Sequence, residues 1–210
     1  MPSTLVHLAV AALIAAVLLG EAFDRRSLAV VLAVTAIPDL DSFVALLAPF
    51  GHRSVLHNVT LPLALGVALW VDLRVREESF VRQRWGNRGV RVLWVSLVCY
   101  VFAHVAVDMT DGIVNLLWPL HDQFYSLRGE MELSSQRGIV QTFTEPGEGV
   151  FLLEPAGTTG ERRLTTGVDP GEGATERIFP LFGSGLELLV TLIGVGAAAA
   201  RLRLPWKVGE

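Results

Sequence analysis

An all-α, polytopic membrane protein of about five transmembrane helices, with a long glycine-rich extracytoplasmic loop, is the fold class this 210-residue sequence predicts. Three observations lead there. Hydrophobic residues make up 51% of the chain against 18% charged, and the mean hydropathy is +0.49, above the balance of a soluble protein. The apolar residues are gathered into long runs, as crossing roughly 30 Å of hydrocarbon requires. Between residues 121 and 183 the composition turns polar and glycine-rich, with turn signals at Glu145-Pro146-Gly147 and Asp169-Pro170-Gly171.

Residues 3–20 are nearly continuous Leu, Val and Ala, with His7 the one ionisable group, and read as a first span. A cleaved signal peptide is the alternative, but its basic leading region is missing. Residues 27–49 form a second span interrupted by Pro38, which removes a backbone donor and clashes with the preceding turn. Broken spans are tolerated where the freed polar groups line a cavity, and Asp39 and Asp41 follow the break directly. Gly51 to Ser54 make a tight turn, residues 55–73 a third span, and residues 74–91 an arginine-rich solvated connection. Residues 91–109 form a fourth span carrying His104 and Asp108, followed by a short interfacial piece ending in Trp118-Pro119. In the long loop, Ile139–Phe143 and Val150–Leu153 are β-prone and could pair as a small hairpin, or the loop could be partly disordered. Residues 184–200 are a fifth span, leading into a basic tail. The expected organisation is thus a membrane-embedded core over 1–120, a loop over 121–183, and a last span with its tail over 184–210. Cys99 lies inside an apolar run, so no intrachain disulfide is possible and it reads as a small buried hydrophobe.

Five spans place Arg25, Arg26, Arg74, Arg76, Arg82, Arg84, Arg88, Arg91, Arg201, Arg203 and Lys207 on one side, 11 of the 17 basic residues. Arginines in a long loop count little toward orientation. The expectation is a multi-pass protein of the cell membrane, N-terminus outside and C-terminus in the cytoplasm. A net charge of −4 argues against nucleic acid as a partner.

That topology puts His7, Asp39, Asp41, His52, His57, His104 and Asp108 in one leaflet. Ionisable groups at membrane depth are costly and usually functional, and Asp with His is a ligand set favoured by borderline divalent metals. His104 and Asp108, spaced i, i+4, project from one helix face. Asp39 and Asp41 cannot point the same way on a regular helix, but can after a proline break. Arg53 is the one nearby positive side chain and cannot neutralise every carboxylate, whereas a divalent cation could. The competing readings are a buried polar network bracing the bundle and a proton or ion path.

His7 in the first span, Pro38-Asp39-x-Asp41 in the second, His52-Arg53-x-x-x-His57 at the next turn, and His104-x-x-x-Asp108 followed by Thr110, Gly112 and Leu117-Trp118-Pro119 together resemble the YdjM-type family of predicted membrane-bound metal-dependent hydrolases. The resemblance covers residues 1–120. Leu56 and Asn58 stand where members commonly have Thr and Ser. The order of His and Asp is also similar to the zinc-dependent phospholipase C and single-strand nuclease group, although the further His-x-x-x-Glu of that group is absent. The resemblance therefore implies a one- or two-metal site.

The resulting expectation is a metal-dependent hydrolase acting on a phosphoester, lipid or lipid-linked, at the outer interface. His7, Asp39, His57, His104 and Asp108 are the leading ligands, with Asp41 and His52 next. Zinc is the first choice of divalent metal, with manganese or iron as alternatives. Asp41 or Asp108 would take the proton and Arg53 would hold a phosphate oxygen. Asn58, Thr110 and Asp111 would orient ligands, and His121 reads as a loop histidine. An ion-coupled transporter and a non-catalytic structural protein remain the alternatives; the apolar cytoplasmic halves of the spans count against the first.

Overall fold

The computed structural model describes residues 2–48, 51–143, 152–171 and 173–204. They form helices α1 (Thr4–Leu18), α2 (Arg25–Ala36), the short α3 (Asp41–Val44), α4 (Thr60–Arg74), α5 (Phe80–Cys99), α6 (Ala106–Asp111) and α7 (Gly185–Arg203). A π-helical stretch, Tyr100–Val105, joins α5 to α6. Five short strands are β1 (Val114–Asn115), β2 (Phe124–Ser126), β3 (Met131–Ser134), β4 (Gly138–Gln141) and β5 (Glu154–Pro155).

The expectation of an all-α protein with about five spans is not met. Among the described residues two helices are long and apolar enough to cross a membrane, Phe80–Asp111 and Gly185–Arg203. Counting Arg25–Ala36 with Pro38–Val44, bent by 40°, as one broken span makes three. The causes are local. Helix α1 has 15 residues, about 22 Å at 1.5 Å per residue, short of the hydrocarbon thickness. Pro38 ends the second apolar run as anticipated. The third loses its first turn, because residues 52–59 are held as turns and α4 starts only at Thr60. The fourth is longer than expected, since the arginine-rich connection is itself helical from Phe80, broken only at Gly86 (φ 65°, ψ −171°).

The chain divides into two compact units. One comprises Pro2–Pro38, Leu61–His104 and Pro180–Glu210. Its core is built from small residues, with Ala11, Ala12, Ala15, Cys99, Ala103 and Ala198 packed with Leu28, Val31 and Val95. Small side chains let helices approach closely when packing rather than water drives association. Where α7 meets α1 the approach is close: a Cβ on Gly194 would stand 2.4 Å from the Ala9 carbonyl oxygen. Arg201 of α7 then closes α1, donating from Nε to the Ala16 carbonyl at 3.1 Å and from Nη2 to that of Gly20 at 3.0 Å. Asp24 caps α2 by accepting the Ser27 N–H at 2.8 Å, and that bond above all holds its carboxyl down at about 2. Asp72 does the same service for α5, accepting from the Ser79 hydroxyl and the Phe80 and Val81 amides at 2.6–3.1 Å.

The other unit comprises Asp39–Thr60 and Val105–Phe179. Strands β1, β2 and β5 form an antiparallel sheet, with Val114 opposite Tyr125 and Tyr125 opposite Pro155. Strands β3 and β4 form a hairpin, Met131 opposite Gln141 and Ser134 opposite Gly138. The expected hairpin partner of Ile139–Phe143 is thus the preceding strand; of the alternative, Val150 and Phe151 lie outside the described residues, as does the Glu145-Pro146-Gly147 turn. Asp122 stitches this unit together, accepting from Asn115 Nδ2 at 2.6 Å and from the Thr159 hydroxyl at 2.6 Å. Burial works to raise its pKa, and these bonds outweigh that and hold it below the usual carboxylate range.

Candidate metal centre

The break at Pro38 creates the site. A single 3-10 turn, Pro38–Leu40, separates α2 from α3, so Asp39 and Asp41 leave the helical register that would have pointed them apart. Both now approach one imidazole. His57 Nδ1 donates to Asp41 Oδ2 at 2.7 Å, while His57 Nε2 lies 3.9 Å from Asp39 Oδ1 and 3.1 Å from Asp108 Oδ2. Asp41 and His57 are wholly buried, and Asp108 is 1% exposed.

Asp41 holds more than His57. Its Oδ1 accepts from His52 Nδ1 at 2.9 Å, and its Oδ2 also accepts the Arg53 backbone N–H at 3.0 Å. Both oxygens are therefore occupied in orienting neighbours. His52 and His57 stand edge to face with ring centroids 5.5 Å apart. Arg53 completes the cluster: Nη2 donates to Asp108 Oδ1 at 2.8 Å and Nη1 to the Ile113 carbonyl at 3.2 Å.

The loop carrying His52 and His57 is pinned by backbone. The Asn115 amide donates to the Arg53 carbonyl at 2.9 Å, the Val59 amide to that of Leu116 at 2.9 Å, and Asn58 Nδ2 to those of Ser54 and Val55 at 2.8 Å. Arg53 sits at φ 59°, left-handed backbone that costs a side-chain-bearing residue about 1–2 kcal/mol. Such strain persists where surrounding contacts over-determine it. Gly112 makes room for the guanidinium, since a Cβ there would stand 1.7 Å from Arg53 Nη1.

In the other unit, His7 and His104 stack with ring centroids 4.0 Å apart. His7 Nδ1 donates to the Ala103 carbonyl at 3.0 Å and His104 Nδ1 to that of Thr35 at 2.7 Å. His104 belongs to the π-helical stretch, a distortion that recurs at functional positions. A carbonyl can only accept, so each ring carries its proton on Nδ1 and, when neutral, its lone pair on Nε2. The four imidazoles His7, His52, His57 and His104 thus share one arrangement, Nδ1–H committed to an oxygen. This is how metal-binding histidines are set.

The donor set suits a divalent cation. Donor atoms around a tetrahedral zinc stand about 3.3 Å apart for bonds of about 2.0–2.1 Å, against the 3.1 and 3.9 Å measured from His57 Nε2 to Asp108 and Asp39. His52 Nε2, Arg53 Nε and Ser54 Oγ are buried with no hydrogen-bond partner among the described residues. Buried polar atoms are normally satisfied, so three such atoms in consecutive residues fit a site built to take a ligand. Asp41, His52 and His57 also offer ligand atoms within 4.8 Å of one another. The buried His and Asp groups could therefore hold a metal ion.

Of the other residues read from the sequence, Asn58 braces the loop, Thr110 bonds its own helix through the Val107 carbonyl at 2.7 Å, and His121 lies 3.3 Å from the Tyr125 hydroxyl. Sequence reasoning set aside the arginines of the long loop. Arg128 and Arg163 join Arg53 in lining a cleft of about 390 Å³. Nothing in their local spacing signals it, because the fold alone brings three distant segments together.

Comparison with curated proteins and with solved structures finds no match to either. A family model does match, and it runs beyond residue 120 into the loop that carries β2 to β4. Matched over residues 1–153, the chain belongs to the YdjM inner membrane protein family.

Proposed function

We propose that this protein is a membrane-bound, metal-dependent hydrolase acting on a phosphoester, lipid or lipid-linked. The observation that carries the reading is the two-sided grip on His57: a buried Asp41 on Nδ1, Asp108 and Asp39 facing Nε2. Asp39, His57 and Asp108 are the ligands this geometry supports, and His7 and His104 are imidazoles already set in the same tautomer. Asp41 keeps His57 and His52 oriented. Held there, a divalent ion, zinc first and manganese or iron otherwise, would supply Lewis acidity toward a phosphoryl oxygen and would lower the pKa of a bound water to about 7. His52, its Nδ1–H held by Asp41, offers Nε2 as the atom that takes the proton from the attacking water. Arg53 offers Nε–H to a phosphate oxygen.

The positive-inside rule supports an orientation. Arg82, Arg84, Arg88 and Arg91 in the first half of α5 and Arg201 and Arg203 at the end of α7 belong on the cytoplasmic side, with the intervening loop outside. The C-terminus then follows α7 into the cytoplasm.

The test is metal analysis of detergent-purified protein, wild type beside Asp108→Asn, then a panel of phosphoesters with and without chelator. Near-stoichiometric metal lost in the variant, with chelator-sensitive hydrolysis, supports the reading. Substoichiometric metal in both overturns it. One observation favours a second reading: His52, Asp41, His57, Asp108 and Arg53 already form a continuous hydrogen-bonded chain that could serve to brace the fold. In that case Asp108→Asn lowers stability and no metal is found.

A further inference from the structure

The long loop contributes more than a cover. Arg128, which follows β2, and Arg163, which follows β5, meet Arg53 and Gly112 at the cleft of about 390 Å³, together with Asp111 and Thr165. Arg53 is buried at its wall, 2% exposed, with no hydrogen-bond partner for Nε among the described residues. Arg128 and Arg163 are exposed, and Arg163 makes a pair with Asp169 at 3.2 Å, an arrangement weak enough in water for a stronger anion to compete. Three guanidiniums and one carboxylate, Asp111, line the cleft, with Asp108 and Asp169 as the ion-pair partners of Arg53 and Arg163.

Guanidinium groups match phosphate geometry with paired donors, and several around one cavity select for charge as well as shape. A terminal phosphate carries about −1.5 to −2 at neutral pH, where an internal diester carries a single charge. Arg53 links this cleft to the candidate metal centre, since its Nη2 holds Asp108 at 2.8 Å. We infer that the Arg53–Arg128–Arg163 cleft binds the terminal phosphoryl group of a phosphomonoester and so sets the substrate class of the hydrolase. The inference rests on the hydrolytic reading for its purpose, but its binding chemistry is separable from metal.

The experiment is equilibrium binding of inorganic phosphate, followed by phosphorus NMR line width, to the full chain in nanodiscs of neutral lipid. Wild type is compared with Arg128→Gln and Arg163→Gln, and metal content is measured on each sample. Both residues are exposed, so the variants should fold, and their melting curves check this. The expected result is roughly tenfold weaker phosphate binding in each variant, a loss equal to one charge-assisted contact, with unchanged metal content. Nanodiscs containing phosphatidic acid, set against others containing phosphatidylglycerol, form the lipid arm. Stronger effects with phosphatidic acid than with inorganic phosphate identify a lipid monoester, and the reverse identifies a soluble one; either outcome supports the inference. Wild-type phosphate affinity in both variants overturns it, as does binding of phosphatidylglycerol as tight as that of phosphatidic acid. Metal absent from every sample, with arginine-dependent phosphate binding retained, overturns the hydrolase reading and leaves the subsite standing.

Discussion

Asp41 and His57 are joined by a 2.7 Å hydrogen bond between Oδ2 and Nδ1, and both residues are fully buried. Because Oδ1 of the same carboxylate receives His52, one side chain fixes two imidazoles at once. Asp41→Asn leaves the volume unchanged but turns one of these acceptors into a donor, setting N–H against N–H. Loss of such a carboxylate behind a ligating histidine weakens metal binding by about 10–100-fold. A chelator-competition titration of the variant measures this, and unchanged affinity would show that Asp41 orients nothing.

Arg53 and Asp108 form an ion pair at 2.8 Å with both side chains 2% exposed. Removing one member of a buried pair costs about 3–5 kcal/mol, because the other charge is stranded. Arg53→Ala is therefore expected to lower stability by that order, and Arg53→Ala combined with Asp108→Asn to recover much of the loss. Denaturant melts in mixed micelles test it; equal losses in the single and double variants would dismiss the pair as an energetic unit.

Gly112→Ala should mimic damage to Arg53. The new Cβ would lie 1.7 Å from Nη1, so the guanidinium must withdraw from Asp108. Overpacking of this kind costs about 1–3 kcal/mol. In an Arg53→Ala background the same substitution should be nearly silent, and a full additive loss there would mean the glycine serves some other neighbour.

Helix packing offers an independent check on the first unit. Gly194→Ala drives a methyl to 2.4 Å from the Ala9 carbonyl oxygen, whereas Gly196→Ala meets nothing within 4 Å among the described residues. The first is expected to lower the melting temperature and the second to leave it nearly unchanged. Similar melts for both would refute the close crossing of α1 and α7.

Acid should act on the cap of α2. Asp24 is held at about 2 in the folded chain, from an ordinary value of 3.8, chiefly by the Ser27 amide and with an ion pair to Arg88. A lowered pKa means the unfolded state takes up protons first, so the contribution is complete above about 4 and is lost as the pH falls toward 2. Asp24→Ala should remove about 1 kcal/mol at pH 7 and flatten this part of the acid profile. A variant that melts in parallel with wild type from pH 5 to 2 would exclude the cap as its source.

The site was more legible than the fold. Asp39, Asp41, His52, Arg53, His57 and Asp108 all stand out as costly residues in an apolar setting, and Pro38 announces the break that lets the two aspartates converge. What the sequence could not show is where apolar runs stop being helix. Residues 52–59 look like the start of a span, yet their backbone groups bond to residues 115 and 116, more than fifty positions away. Length failed similarly for α1, whose apolar run is long enough on paper and whose helix is not. The small sheets depend on pairings between distant short segments, and Arg128 and Arg163 acquire a role only once those pairings exist.

Position 53 is asked for two incompatible things. Its backbone favours glycine or asparagine, while its neighbours need a guanidinium. Selection for heat resistance in an Asp108→Asn background, where no partner charge is stranded, should drift this codon toward the smaller residues, and selection for the proposed hydrolysis with Asp108 in place should restore arginine. A library sorted both ways would therefore separate robustness from function at a single site.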